Sequence, residues 1–185
     1  MKLLLCLLLF ACPAFAQTTA LKLSFTPETE KFAEAVKAYE SIWASEREKI
    51  IRALEDTAGL KFADKEVKVI VYEGTSSSGF GNTPMKLRAS YPADVKKATL
   101  IHELGHRLLA RLRFTPEIDD HRALFLILYD VWVKLYGKEF AEQNVAVEQR
   151  RKGLYDYEAA WKWALALSET ERAAKFKEFA RARQK

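Results

Sequence analysis

The chain has 185 residues, of which 49% are apolar, 30% charged and 12% aromatic, with a formal net charge of +5. That length and balance build one domain with its own hydrophobic core; they exclude a disordered tail, a collagen-like repeat and a polytopic membrane protein. The positive excess is mild and spread through the chain, so no nucleic-acid partner is expected.

In chain order, Met1-Lys2 is a short positive segment, Leu3 to Phe10 is an apolar run, and Ala14-Phe15-Ala16 is a small-x-small site before Gln17. This order predicts a signal peptide over residues 1–16, cleaved after Ala16, and an exported product, periplasmic or secreted. A single domain over residues 17–185 follows. The run is too short to span a bilayer comfortably and no second one follows, so no stable membrane span is expected. Leu9-Phe10-Ala11-Cys12 resembles a bacterial lipoprotein box, which makes acylation of Cys12 the alternative to simple export. Cleavage removes Cys6 and Cys12, the two cysteines of the chain. Disulfides, Cys-ligated metal and thiol nucleophiles are thereby excluded from the mature protein.

The remaining pattern is mixed α and β. Thr26-Pro27-Glu28 carries a helix-start signal, and Phe32, Val36, Tyr39, Trp43, Ile50 and Leu54 keep to one helical face until Gly59. Val67 to Tyr72 is β-branched and reads as a strand. Gly74 to Pro84 is a flexible loop, a mobile rim whose glycines match no phosphate-binding spacing. Met85 to Ser90 alternates as a second short strand. A helix then spans about Asp94 to Leu112, and Thr115-Pro116-Glu117 opens another that ends near Gly137. A further helix covers roughly Lys138 to Lys152, and Ser168-Glu169-Thr170-Glu171 forms a capping box for the last.

One motif carries chemistry. His102-Glu103-Leu104-Gly105-His106 lies within the helix that starts near Asp94. At about 100° per residue, His102 and His106 sit one turn apart on one face and both reach a single Zn²⁺. Glu103 is displaced by about 100°, beside the metal position, where a carboxylate can take a proton from an activated water. Leu100, Leu104, Leu108 and Leu112 line the opposite face. A third ligand is needed, and Cys is absent. His121 is the one remaining histidine and is taken as that ligand, with Glu117, Asp119 or Asp120 as alternatives. If His121 binds, Glu117, four residues earlier, could orient it from behind. Asp130 falls about 180° from His121 and reads as solvent-facing or structural. Tyr129, Tyr136, Tyr155 and Tyr157 are donors for a developing oxyanion by residue type, with nothing to select one.

At these residues the chain resembles the zincin metallopeptidases. The likeness implies an α+β, zincin-like fold: a small β-sheet packed on an active-site helix, followed by a helical C-terminal half. It also implies His102 and His106 as metal ligands, Glu103 as general base, one Zn²⁺ as cofactor and a peptide or protein as substrate. The strand Met85 to Ser90 would then pair with an extended substrate backbone, in an exposed groove. The metzincin extension is absent, since Leu109 stands where that branch has Gly and Leu112 where it has its third His. The thermolysin-like Asn-Glu-x-x-Ser-Asp segment is absent too, so the chain reads as a compact zincin outside both branches. The expected activity is an exported zinc-dependent peptidase. The alternative is a non-proteolytic zinc-binding or helical interaction module of the cell envelope.

Overall fold

The computed structural model describes residues 21–151, 153 and 155–183. The expected signal peptide, its cleavage after Ala16 and Cys12 lie outside the described residues. Among those residues, β1 (Lys22–Pro27), β2 (Glu66–Tyr72) and β3 (Met85–Arg88) form an all-parallel sheet in the order β1-β2-β3. Six α-helices complete the α+β chain: α1 (Ala33–Ala58), α2 (Ala93–Leu109), α3 (Asp120–Tyr136), α4 (Lys138–Gln149), α5 (Tyr157–Leu165) and α6 (Glu169–Arg183).

β1 corrects the first expected element. Thr26 and Pro27 end a strand instead of opening a helix, because six residues from Lys22 pair in register with Glu66 to Val71. The next amide, Glu28 N–H, donates to Val71 O at 2.9 Å. Pairing with β2 therefore overrides a local helix-start signal, and the helix begins only through the 3₁₀ turn Glu30–Phe32. In α1 the anticipated stripe is buried at Val36, Tyr39, Trp43, Ile50 and Leu54. Gly59 ends it at φ 64°, a left-handed position that glycine takes without a Cβ penalty.

The connection from β2 to β3 joins parallel neighbours, so it must cross over instead of turning back as a hairpin. It is held more firmly than a mobile rim. Ser77 exchanges both backbone hydrogen bonds with Lys86, at 2.9 and 2.8 Å, and Ser76 Oγ accepts from Arg88 N–H at 3.1 Å. From α2, buried Arg107 donates to Asp64 Oδ2 (2.8 Å), Ser78 O (2.9 Å) and Gly81 O (3.2 Å). The outward edge of β3 is thus already filled, which corrects the expectation of a strand free to pair with substrate.

Two helix boundaries also move. α2 stops at Leu109. Thr115 closes a turn with Ile118, accepting its N–H at Oγ1 (3.1 Å), and α3 starts only at Asp120. Asp119 is the cap, its carboxylate accepting Arg122 N–H at 2.8 Å, so a carboxylate with a partner wins over the Thr-Pro signal. The last helix begins as expected, with Ser168 and Glu171 bonding reciprocally. No helix among the described residues is long and apolar enough to cross a membrane.

Candidate metal centre

α2 is buried nearly all round from Ala98 to Leu109, histidines included. Leu100, Leu104 and Leu108 form the expected apolar back. The front is roofed as well, by α3, α4 and the segment leading into α5, so among the described residues His102, Glu103 and His106 do not lie in an exposed groove. His102 is 1% exposed, Glu103 3% and His106 6%.

Helical spacing puts His102 and His106 on one face, and their Nε2 atoms meet at 3.1 Å. Two nitrogens bound to zinc at about 2.0–2.1 Å in tetrahedral geometry lie about 3.3 Å apart, so this separation suits a shared ion. α3 brings the third histidine. Gly105 lets it approach: a Cβ there would lie 2.4 Å from Leu124 Cδ1. His121, in the first turn of α3, then sits with its ring 4.6 Å from that of His106 and 5.5 Å from that of His102. One ligand atom from each of the three histidines lies within 4.8 Å of the others, an arrangement that could hold a metal ion.

The outer nitrogens face carboxylates. His102 Nδ1 is 2.8 Å from Glu148 Oε1, an approach off the line of the ring N–H, so the attraction is mainly electrostatic. His121 Nδ1 lies 3.3 Å from Asp120 Oδ1, and His106 Nδ1 lies 3.8 Å from Asp120 Oδ2. The Nε2 atoms of His102 and His106 thus face a shared position, with anions behind the rings to fix their orientation, while His121 Nε2 would exchange its hydrogen bond with Tyr157 for a cation there. Burial pushes the His102 pKa below the usual imidazole value. Burial, then the neighbouring imidazoles, pushes that of His106 further down. Neutral imidazoles are the form that binds a metal.

Three acidic residues were alternatives for the third ligand, and each has another place. Glu117 lies in the turn before α3, where the i, i+4 relation to His121 does not apply. Asp119 Oδ1 accepts from Arg122 N–H and from Tyr155 Oη at 2.8 Å. Asp120, not Glu117, stands behind His121; chiefly through that contact its carboxyl is held down at about 2. Asp130 is structural, bonded by Arg172 Nε at 2.9 Å.

Glu103 makes no hydrogen bond or ion pair among the described residues, and burial pushes its carboxyl up to about 8. Arg151 opposes that rise, while Glu148 and Asp120 add to it. Of the four tyrosines, Tyr157 reaches the centre: its Oη is hydrogen-bonded with His121 Nε2 at 3.0 Å. The Tyr155 ring stacks on His121 at 4.3 Å. Tyr136 bonds Glu46, and Tyr129 lies beneath Arg172.

Glu148 and Arg151 were not foreseen. Glu148 is 2% exposed, accepts Trp161 Nε1–H at 3.0 Å and lies 3.4 Å from Arg151 Nη2. Burial would raise its carboxyl, but His102 and Arg151 outweigh that and hold it at about 2. A signal was available: Ala141, Asn144, Val145 and Glu148 are the buried stripe of α4, and a carboxylate on such a face needs a partner. Comparison with family models, curated proteins and solved structures finds no match to this chain.

Proposed function

We propose that the protein is an exported zinc-dependent peptidase of zincin type, with Glu103 as general base. The observation that carries this is the convergence of His102, His106 and His121 in an arrangement that could hold a metal ion, with the buried carboxyl of Glu103 next to His102 in the chain. Three nitrogen ligands without thiolate suit zinc and leave a fourth position open. Zinc bound there would supply a Lewis acid for the scissile carbonyl and an acidified water.

The chain's own groups do the rest. Glu103 accepts the proton of the attacking water and returns it to the leaving amine, for which a pKa near the working pH is favourable. Tyr157 Oη, beside His121 Nε2, donates to the carbonyl oxygen as negative charge develops. Glu148 and Asp120 keep the rings in place. The roof over α2 excludes bulk water, which strengthens each of these interactions.

A zinc-binding envelope module without hydrolysis is the second reading. The β3 edge favours it, since the outward backbone groups of Lys86 are already paired with Ser77 and not offered to an extended peptide. A peptide-library digest read by mass spectrometry separates the two. Wild type is expected to cut, and Glu103→Gln to retain zinc while turnover falls by about 10²–10⁴-fold. A zinc-loaded wild type that cuts nothing contradicts the peptidase.

A further inference from the structure

Beside the centre lies a cavity of about 420 Å³. Two of its lining residues, Tyr155 and Tyr157, are the rings packed on His121. A third, Arg151, contacts Glu148 behind His102. Resting on the hydrolase reading, we propose that this cavity binds a free carboxylate on the leaving-group side of the substrate, so that the centre acts at a chain end instead of within an extended strand.

Among the described residues the lining holds two guanidinium groups, Arg151 and Arg88, the latter paired with Glu73 at the rim, with hydroxyls from Ser76, Tyr91 and Tyr157 and no carboxylate. Arg151 is incompletely matched. Its Nη2 is 3.4 Å from Glu148 Oε1, and its Nε, buried, has no hydrogen-bond partner among the described residues. A guanidinium has five donors in a fork that fits a carboxylate through two parallel bonds. An anion in the cavity would complete what Glu148 leaves unfilled.

An internal stretch of peptide would need a free strand edge, and that of β3 is occupied by Ser77. A cavity of this volume takes a terminal residue or a small ligand instead. Arg88 is fixed at its rim, donating from Nε to Gly74 O at 3.0 Å and pairing with Glu73 at 3.1 Å. The same crossover that closes the strand edge therefore also positions a cation for the substrate's end.

The test uses the full chain carrying Glu103→Gln, loaded with zinc, and titration calorimetry with three blocked dipeptides. These are N-benzoyl-Gly-Phe as the free acid, the same compound as its amide, and N-benzoyl-Gly-Asp amide. The free acid is expected to bind about tenfold or more tightly than its amide, as for a charge-assisted pair. No recovery by the Asp amide supports a terminal carboxylate; affinity recovered by it overturns the chain-end assignment. Adding Arg151→Gln, with zinc content checked, is expected to remove the preference. Arg88→Gln serves as a second variant if Arg151→Gln fails to fold or loses zinc. Equal binding of acid and amide, or a preference that survives these substitutions, overturns the proposal. Wild type that cuts acid and amide alike sinks the cavity and leaves the hydrolase standing. Selective binding without cleavage does the reverse.

Discussion

Glu148→Gln keeps the shape of a buried side chain and removes its charge. The amide oxygen can still accept from Trp161 Nε1, 3.0 Å from Oε2. That turns the NH₂ group to the place of Oε1, 2.8 Å from His102 Nδ1 and 3.4 Å from Arg151 Nη2. A donor there favours the tautomer in which His102 accepts at Nδ1 and carries its proton on Nε2. Nε2 is the atom 3.1 Å from His106 Nε2, so the proton points into the metal position. A metal ion must then displace it and lose the anion behind the ring. Losing such a partner costs about 10–100-fold in metal affinity, or roughly 1.4–2.8 kcal/mol. Competition for zinc against a chromophoric chelator at neutral pH reads this directly. Asp130→Asn is the control, because it breaks the partly buried pair with Arg172 and lowers Tm without touching the histidines. Zinc bound as tightly by Glu148→Gln as by wild type, or an equal loss in Asp130→Asn, refutes the reasoning.

Metal-free protein is expected to be most stable near pH 6.5. Above that, the unfolded chain has released the Glu103 proton that the folded chain keeps up to about pH 8, so stability falls by up to about 1.4 kcal/mol per pH unit. Below it, the unfolded chain takes up protons that burial denies to His102 and His106, so stability falls with acid. Thermal unfolding in chelator across this range checks both limbs, and an alkaline limb unchanged by Glu103→Gln contradicts the assignment. Gly105→Ala sets a Cβ 2.4 Å from Leu124 Cδ1. The overpacking costs about 1–3 kcal/mol against a helix-propensity gain of about 1 kcal/mol. In a Leu124→Ala background the same substitution is expected to stabilise, and a urea-unfolding cycle without coupling would count against the close approach of α2 and α3. Arg107→Met frees Ser78 and Gly81 from α2, so limited proteolysis is expected to nick the 74–84 segment faster; an unchanged rate means that Arg107 does not hold it.

The histidine half of the candidate site is legible in the sequence because it is local. His102 and His106 share a face by helical geometry alone, and the absence of other histidines pointed to His121. The rest depends on contacts distant in sequence. Glu148 reaches His102 from α4, and Tyr157 reaches His121 from the start of α5. Residue type could not choose among four tyrosines, whereas a single 3.0 Å contact does. β1 escaped notice because Thr26-Pro27-Glu28 reads locally as a helix start, and only the parallel register with β2 reveals the strand. The filled edge of β3 had the same cause: Ser77 bonds Lys86 through backbone atoms, which leave no trace in side-chain pattern.

The proposed function requires His102, His106 and His121 to hold one zinc ion. Elemental analysis of the purified full chain, wild type beside His102→Ala, His106→Ala, His121→Ala and Glu117→Ala, tests it most directly. One zinc per chain is expected in wild type and in Glu117→Ala, with loss in each histidine variant. A wild type that takes up no zinc, or a His121→Ala chain that keeps it, rules out a three-histidine zinc site.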